Sequence, residues 1–302
     1  MVPANIPVET WRKNFRSLVL LAILGVCSAV AWVLAWHKGA PARDAREILS
    51  AIRRQGIKHY WPQNARQQRW FFIRREGNVV GWEMHHRQAG ADGAIGGFVR
   101  RENAPHKQVR LSSRWRLSND AEQGEYHSQQ VVLQPPQVKV TEAAIELRDR
   151  NLQVNQNIDG AGFSSTTAIP ENYLPEGLMT LAMREVAQRQ GRAQFKMVLD
   201  NQKPSPPTGG QTPLFSFELR YVGQDPSTGG AKVETSFGRE NPWITILDAN
   251  GEMIRRYEGN TEFSPATFEE ILQRFPDAAE YAPDGETTAM VYPAPITLCA
   301  RA

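Results

Sequence analysis

The sequence predicts a mainly β (α+β) protein with a large antiparallel, curved sheet and one or two packed helices, preceded by a single N-terminal transmembrane helix. Two observations lead to this prediction. An uncharged apolar run fills residues 17–36, and apolar and polar residues alternate in many segments after residue 65. Such alternation is typical of strands that bury one face. The predicted segments are an N-terminal tail (1–16), a transmembrane helix (17–38), a juxtamembrane helix and linker (39–64), a β-rich extracytoplasmic domain (65–281) and a C-terminal tail (282–302).

The transmembrane helix is predicted from the length of the apolar run. At about 1.5 Å per residue, residues 17–36 give a helix of about 30 Å, which matches the hydrocarbon core of a bilayer. A cleavable signal peptide is the alternative, with Ala40, Pro41 and Ala42 as a loose cleavage site. The apolar core of a signal peptide is shorter, however, at about 7–15 residues. We therefore predict an uncleaved signal anchor in the cell membrane.

The charges that flank this run predict its orientation. The N-terminal tail carries Arg12, Lys13 and Arg16 against one acid, Glu9, which favours a cytoplasmic tail. Basic residues also follow the run, but long domains translocate largely regardless of their charge. We expect a single-pass protein whose C-terminal domain is extracytoplasmic, in the periplasm, with membrane lipid as a partner.

Charge is distributed unevenly along the chain, although the net charge is only +3. Residues 43–116 contain 16 basic and 6 acidic side chains, whereas residues 117–302 contain 15 basic and 25 acidic ones. Either the basic part attracts anionic headgroups, or the two parts neutralise each other within one folded body. The balance outside the N-terminal segment argues against nucleic acid as a partner, even at the aromatic and basic run Arg69–Phe72.

The first predicted element after the apolar run is a short amphipathic helix at residues 43–55, with Gly56 as its terminator. Its apolar face consists of Ala45, Ile48, Leu49 and Ile52. This helix either caps the domain or lies on the membrane, and its narrow apolar stripe favours capping.

Strands dominate from residue 69 onward. Arg69–Arg75 and Val79–Arg87 read as a hairpin around Gly77. Residues 107–117 alternate, with Val109, Leu111, Ser113, Trp115 and Leu117 on the inner side and arginines on the outer side. Further strands are predicted at Tyr126–Leu133, Gln137–Val140, Ala143–Asp149, Leu152–Ile158, Ala193–Leu199, Pro213–Val222, Lys232–Phe237, Trp243–Leu247 and Glu252–Tyr257.

Two later segments have helical periodicity. Leu174–Gln190 has Pro175 in its first turn and Gly191 at its end. In the second segment, Ser264 caps a helix that has Pro265 at its first position and ends before Pro276. The inward residues of this second helix are Phe268, Ile271, Leu272 and Phe275. Between these helices, Gln202–Thr212 is predicted to be an exposed loop because it is rich in Pro and Gly.

No metal or cofactor site is predicted. His85 and His86 are placed at a strand end, where adjacent residues point to opposite faces, and His106 and His127 lack ligand spacing. The Asp248–Glu252 segment opens like a calcium loop, but the required later glutamate falls on Gly259, so a tight turn is favoured. The two cysteines, Cys27 and Cys299, exclude a disulfide scaffold.

Catalytic residues cannot be assigned from the sequence. Ser164–Thr167 and Ser112-Ser113 supply hydroxyls without the Gly-x-Ser-x-Gly elbow of a hydrolase. The glycine-rich segment Gly90–Gly97 matches neither a phosphate-binding loop nor a dinucleotide fingerprint. We predict a flexible hairpin loop there.

Three segments carry a resemblance to a known family. Gly77–Trp82, Ile169–Leu178 and Leu247–Gly251 resemble the curved half-barrels of the lipoprotein-carrier superfamily and its uncharacterised periplasmic relatives, over roughly residues 65–275. The resemblance implies that helices fill a concave apolar face that holds acyl chains. This chain differs in keeping a membrane anchor, which argues against free shuttling through a periplasm.

The leading functional hypothesis is therefore a non-enzymatic, membrane-anchored domain that binds a hydrophobic ligand or an envelope protein partner. Leu178, Leu181 and Val186 would face the concavity, although they are equally suited to a core. The alternatives are an envelope hydrolase with an unrecognised site, and an accessory subunit of a membrane complex that uses residues 17–36 as an interaction helix.

Overall fold

The computed structural model describes residues 40–61, 67–90, 92–104, 107–198, 214–238 and 241–282. Within these ranges, fourteen strands form one antiparallel, curved sheet with few helices, which confirms the predicted mainly β class. The strands are β1 (Gln67–Arg75), β2 (Asn78–Gly90), β3 (Gly93–Ala104), β4 (Lys107–Ser118), β5 (Gly124–Gln134), β6 (Gln137–Arg148), β7 (Asn151–Ile158), β8 (Ala161–Ala168), β9 (Arg192–Val198), β10 (Leu214–Gln224), β11 (Ala231–Ser236), β12 (Trp243–Leu247), β13 (Met253–Glu258) and β14 (Thr261–Ala266).

The sheet consists of two meanders that meet at one strand pair. Read from one edge to the other, the order is β9 to β14 followed by β1 to β8, so both halves lie in sequence order, and β1 pairs with β14 to join them. The two edges of the sheet are therefore β8 and β9. The connection between these edge strands contains the central helix.

The two-residue period of β4 is the clearest link between sequence and sheet. In β4, Val109, Ser113 and Leu117 are buried, while Arg110 and Arg116 are exposed. The alternation predicted for residues 107–117 is confirmed, and these buried residues mark the inner, concave face.

The helix that opens the described chain covers residues 40–55 (α1), and a short helix, Ile57–Tyr60 (α2), follows it. Gly56 has a φ of 78°, which glycine adopts without strain, so it separates the two helices as predicted. The predicted apolar face of α1 is fully buried within the main core, so α1 packs on the domain.

The central helix starts later than the sequence predicts. Pro175 precedes a 3₁₀ helix, Glu176–Leu178, and the α-helix α3 is Met179–Arg189. The residue that ends α3 in the left-handed conformation is Gln190 (φ 50°), so the assignment of the stop to Gly191 is wrong. The Gly191 amide still donates to the Val186 carbonyl at 3.2 Å, which satisfies one terminal carbonyl of α3.

The last helix also differs from its prediction at the N-terminal end. Ser264 and Pro265 belong to β14, and Thr267 caps the helix α4 (Phe268–Arg274). The Glu270 amide donates to Thr267 Oγ1 at 3.2 Å, and the Glu270 carboxylate accepts from the Thr267 amide at 2.8 Å. This capping box satisfies two amides at the start of α4. A 3₁₀ helix, Pro276–Tyr281, follows.

Three strands were missed by the sequence patterns, namely β3, β8 and β14. The glycine-rich segment Gly90–Gly97 contains the turn of the β2–β3 hairpin, as predicted, but most of it lies in the two strands, so the predicted loop is too long. Glycine fits there because β4 approaches closely. A Cβ on Gly97 would lie 2.0 Å from the Ser113 carbonyl oxygen, and one on Gly96 would lie 2.5 Å from Trp115.

The sheet buries apolar residues on both faces. Helices α1, α2 and α3 pack against the concave face in the main core. On the opposite face, Trp70, Phe72 and Trp82 pack against Ile271 of α4 and Ala278 of the last 3₁₀ helix. The run Arg69–Phe72 thus alternates between the two faces, as expected for a strand.

Several predictions fall outside the described ranges. They include the N-terminal tail, the transmembrane helix at 17–38, the loop Gln202–Thr212, His106 and nearly all of the C-terminal tail. Within the described ranges, no helix has the length and apolar character needed to cross a bilayer.

The close approach of β3 and β4 leads to a testable expectation. Gly97→Ala should destabilise the protein by more than about 1 kcal/mol, because the new Cβ would overlap the Ser113 carbonyl and force the strands apart. Urea unfolding monitored by tryptophan fluorescence measures the change. Gly162→Ala on β8 is the matched control, because nothing lies within 4 Å of its added Cβ. Equal stability of the two variants would contradict the assigned β3–β4 contact.

Candidate functional site

A cavity of about 410 Å³ lies on the concave face of the sheet. Trp115 on β4 and Trp243 on β12 both line it, although five strands separate β4 from β12 in the sheet order. The sheet therefore curves around the cavity. Met179 and Met183 of α3 contribute to its wall, so the helix and the sheet enclose it together.

The apolar part of the cavity wall is rich in methionine and aromatic side chains. Four of the seven methionines in the sequence line it, from α3, β9 and β13. Methionine is flexible and polarisable, so such a wall adapts to ligands of different shape. The apolar lining residues are Trp61, Phe71, Phe98, Leu111, Trp115, Met179, Met183, Met197, Val198, Phe237, Trp243, Leu247 and Met253.

A buried ionic cluster around Glu83 forms one part of the cavity wall. Arg100 Nε donates to Glu83 Oε2 at 2.7 Å, and Arg256 Nη2 donates to both Glu83 oxygens at 2.8 and 3.1 Å. His85 Nε2 lies 2.5 Å from Glu83 Oε1. Glu258 accepts from Arg100 at 3.3 Å and forms an ion pair with Arg256 at 2.8 Å. Since Glu83 is 0% exposed, its charge depends on these partners.

The register of the sheet explains why these side chains meet. Glu83 on β2 lies opposite Arg100 on β3, and both point to the concave face. Arg256 lies on β13, beyond β1 and β14, and reaches Glu83 across the ring of Phe263, with its guanidinium carbon 4.0 Å from the ring centroid. The cluster therefore links the two meanders.

The pKa of Glu83 follows from this environment. Burial alone would raise the pKa of the carboxyl, but the positive charges of Arg256 and Arg100, with the contact to His85, outweigh that effect and hold the pKa well below its usual 4.5. Burial would lower the pKa of Arg100, but Glu83, Glu258 and Glu102 raise it above its ordinary value. Both groups are therefore charged at neutral pH.

A second set of ion pairs adjoins the first. Arg87 forms an ion pair and hydrogen bond with Glu252, and its guanidinium carbon lies 4.8 Å from the centroid of the Trp61 ring. Arg69 lies 3.6 Å from Asp248 and 3.8 Å from Glu252. These pairs keep the charged groups beside the apolar wall compensated.

The ion pairs also account for the uneven charge along the sequence. Arg69, Arg87 and Arg100 belong to the basic part at 43–116, and they pair with acids of the part at 117–302. Arg256 makes the reverse connection to Glu83. In these contacts the two parts neutralise each other within one folded body, which was one of the two predicted alternatives.

A narrow seam lies where the edge strand β9 approaches β5 to β7. Tyr173 forms a parallel bridge with Lys196 of β9, and the Leu174 amide donates to the Lys196 carbonyl at 2.8 Å. Val198 packs with Tyr126 and Ile145 in one cluster. Only about 20 Å³ of void remains at this seam, so the larger cavity is the candidate site.

Helix α3 is held in place by a polar contact at the end of α2. The Tyr60 hydroxyl donates to Glu185 Oε1 at 3.2 Å. Burial, followed by the negative charge of Glu185 and this hydrogen bond, raises the pKa of Tyr60 to about 12. The phenol therefore stays protonated and remains a donor at neutral pH.

The histidines considered as metal ligands have different surroundings. His85 lies within β2, not at a strand end, and contacts Glu83. His127 on β5 lies opposite Arg114, where burial and then the charge of Arg114 lower its pKa. The described ranges contain no group of three or more His, Cys, Asp or Glu arranged to hold a metal ion.

The other candidate segments have local roles in the sheet. Asp248 Oδ1 accepts from the amides of Asn250 and Glu252, both at 2.9 Å, which makes this segment a turn as predicted. Ser164 on the edge strand β8 donates to Asn155 at 2.7 Å. Leu178, Leu181 and Val186 are buried in the main core and do not line the cavity.

Sequence patterns missed the residues that define the site. Glu83, Arg100 and Arg256 are single charged residues inside strands and match no motif. The available signal was the inward position of Glu83, two residues before His85 in β2. Its partners cannot be identified from local sequence patterns, because Arg256 is 173 positions away.

Comparisons with known proteins add a similarity of shape. No protein-family model and no curated protein matches the chain. Among solved structures, a beta-barrel-like protein of a domain of unknown function (DUF1849) from Brucella abortus is similar, with a TM-score of 0.46 and 10% identity. The alignment covers 67% of this chain and 95% of that one.

The ionic cluster gives the second prediction. Glu83→Gln should cost about 3–5 kcal/mol of stability at pH 7, because it leaves Arg100 and Arg256 without the buried negative charge that compensates them. The free energy of urea unfolding measures this loss. Glu125→Gln is the matched control. Its side chain is 52% exposed and its pair with Arg116 is 3.8 Å long, so it should cost less than about 0.5 kcal/mol.

The pH dependence follows from the lowered pKa of Glu83. Because the carboxyl has a lower pKa when folded, its stabilising effect is fully present above the unfolded pKa of about 4.5 and is lost as the pH falls toward the folded value. The stability difference between the wild type and Glu83→Gln should therefore shrink below about pH 4.5. A difference that is constant down to pH 2 would contradict a charged Glu83.

Proposed function

We propose that the concave cavity binds an amphipathic molecule with an acyl chain, and that the domain is a ligand-binding module, not an enzyme. The observation that carries this proposal is the cavity of about 410 Å³ with a methionine and aromatic wall. This volume falls within the range of about 300–1,000 Å³ that is common for small-molecule sites. An acyl chain fits such a wall because it is flexible and apolar, as the methionines are.

The charge balance beside the cavity favours a ligand without a strong net charge. Four arginines and four carboxylates form the two ion-pair sets, so their formal charges cancel. A ligand with a large charge would have to break these pairs. The members are Arg69, Arg87, Arg100 and Arg256 with Glu83, Asp248, Glu252 and Glu258.

The same contacts argue against Glu83 and His85 as a hydrolytic pair. A general base needs an oxygen or nitrogen that can reach the proton it removes. The Glu83 oxygens already contact His85, Arg100 and Arg256, and its lowered pKa makes it a weak base. This is the support for a binding role over the hydrolase alternative.

The resemblance to lipoprotein carriers is compatible with this role and stays a hypothesis. The resemblance and the proposal both imply a curved sheet whose concave side has an apolar lining that holds acyl chains. Whether the natural occupant is a free lipid or the acylated end of an envelope protein is decided by the ligand that co-purifies with the chain.

The fourth prediction tests the apolar wall. Met179→Glu should weaken binding of the fluorescent fatty acid 11-(dansylamino)undecanoic acid by at least about 10-fold, because it places a carboxylate against the acyl chain. Met179 is half-buried at the first position of α3, where a carboxylate suits the helix dipole, so the fold should survive. The full chain in an amphipathic polymer is titrated, and the rise in dansyl emission is recorded.

Met179→Leu is the matched control for this titration, since it keeps the wall apolar and should bind as the wild type does. Mass spectrometry of lipids extracted from the three purified proteins provides a second measurement. Equal binding by all three proteins, together with equal lipid content, would show that the cavity is not the binding site.

We also propose that residues 17–36 anchor the domain to the membrane, on the support of their length and uncharged character. The fifth prediction follows from this. The full chain should remain with membranes after carbonate extraction, and Val26→Arg should release part of it, because a charge at the bilayer centre costs about 2.5–3.5 kcal/mol on insertion scales. Leu18→Arg at the end of the run is the control, since its side chain can reach the interface. Recovery of the unprocessed wild-type chain in the aqueous phase would contradict the anchor.

A further inference from the structure

Two threonines line the cavity between its ionic cluster and its apolar wall. Thr235 on β11 and Thr245 on β12 are 1% and 2% exposed. The strand register places Thr245 opposite Arg256, and Thr235 opposite Trp243. Because Thr245 also lies opposite Val233, two residues before Thr235, both threonines are on the same face of the sheet.

Neither of these hydroxyls has a hydrogen-bond partner among the residues that the structure describes, although both oxygens are buried. Leaving a buried hydroxyl unpaired is unfavourable, and valine would occupy the same volume without that penalty. The two polar groups therefore indicate a contact that the protein alone does not supply.

We propose that Thr235 and Thr245 hydrogen-bond the carbonyl oxygen of an acyl group whose chain lies along the methionine wall. This inference rests on the proposed function and specifies its ligand as an acyl ester or a carboxylic acid. Each threonine carries its hydroxyl and methyl group on the same Cβ, so rotation about χ1 exchanges the two at the cavity wall. A carbonyl oxygen has two lone pairs and accepts both hydroxyls.

The neighbouring charges are consistent with recognition of a carbonyl. Arg256, directly beside Thr245, is already committed to Glu83 and Glu258. The two hydroxyls beside it are uncharged donors that a ligand can use without breaking these ion pairs. The carbonyl would lie at the boundary where the wall changes from charged to apolar.

The test compares two competitors that differ in the carbonyl. Methyl decanoate and decyl methyl ether each displace 11-(dansylamino)undecanoic acid from the full chain. The ester should displace the dye at a concentration lower than the ether by about 5-fold for each hydrogen bond. In the Thr235→Val, Thr245→Val double variant this advantage should disappear. Met179→Leu keeps both hydroxyls and should keep the advantage.

The stability of the unliganded protein provides a second readout. The double valine variant should unfold at the same or a higher urea concentration than the wild type, because it removes two unpaired buried groups. A clear loss of stability would show that the hydroxyls are already paired in the protein, and would overturn the inference. So would an ester advantage that survives in the double variant.

The outcomes also separate this inference from the proposed function. If the dye and both competitors bind, but ester and ether are equally potent, the carbonyl site is wrong and the acyl-binding cavity stands. If neither the dye nor a competitor binds, both proposals fail. Decanoate is included as a third competitor. Greater potency of decanoate identifies a free fatty acid as the preferred form, and greater potency of the ester identifies an esterified lipid.

Discussion

The buried carboxylate of Glu83 is the interaction on which the rest of the structure depends. It lies on β2, and its arginine partners come from β3 and from β13, so it joins the two meanders on their concave side. A carboxylate with no exposed surface is tolerated only because these cations accompany it. The geometry of the cavity follows, since the same cluster forms one charged part of its wall, beside the part that methionine and aromatic side chains line.

Two kinds of side chain have different roles in this arrangement. Arginine and glutamate hold the sheet in its curved form through compensated pairs, and methionine and aromatic residues provide adaptable apolar surface. The uneven charge along the chain is the sequence signature of the first group. It reflects contacts between the N-terminal and C-terminal parts of one folded body. From the sequence alone, a basic segment beside an apolar run could equally have indicated attraction to anionic lipid.

The strands that the sequence predicted have a recognisable apolar pattern of their own, whether one face is buried, as in β4, or both are, as in β1. β4 is the clearest, because its outward arginines and inward apolar residues alternate without interruption. β3 was missed because Gly96 and Gly97 replace side chains where β4 comes close, and β14 because Ser264 and Pro265 mimic the start of a helix. The ionic cluster could not be predicted for a different reason. Single charged residues in strands acquire meaning only when the register is known, and local patterns do not determine pairings between distant strands.

The junction of β1 and β14 has a consequence for how the chain matures. Trp70 of β1 pairs with Ala266, so one edge of the first strand pairs with residues that lie almost at the end of the described sequence. Contacts of such long range form slowly and late, because the intervening chain must first be brought together. A nascent chain that emerges from its N-terminus therefore carries a strand with one unpaired edge and an incompletely neutralised carboxylate until residue 266 has appeared. Completion of the fold is thus coupled to the synthesis of β14, and a chain that terminates before it has an unpaired sheet edge that can associate with other chains.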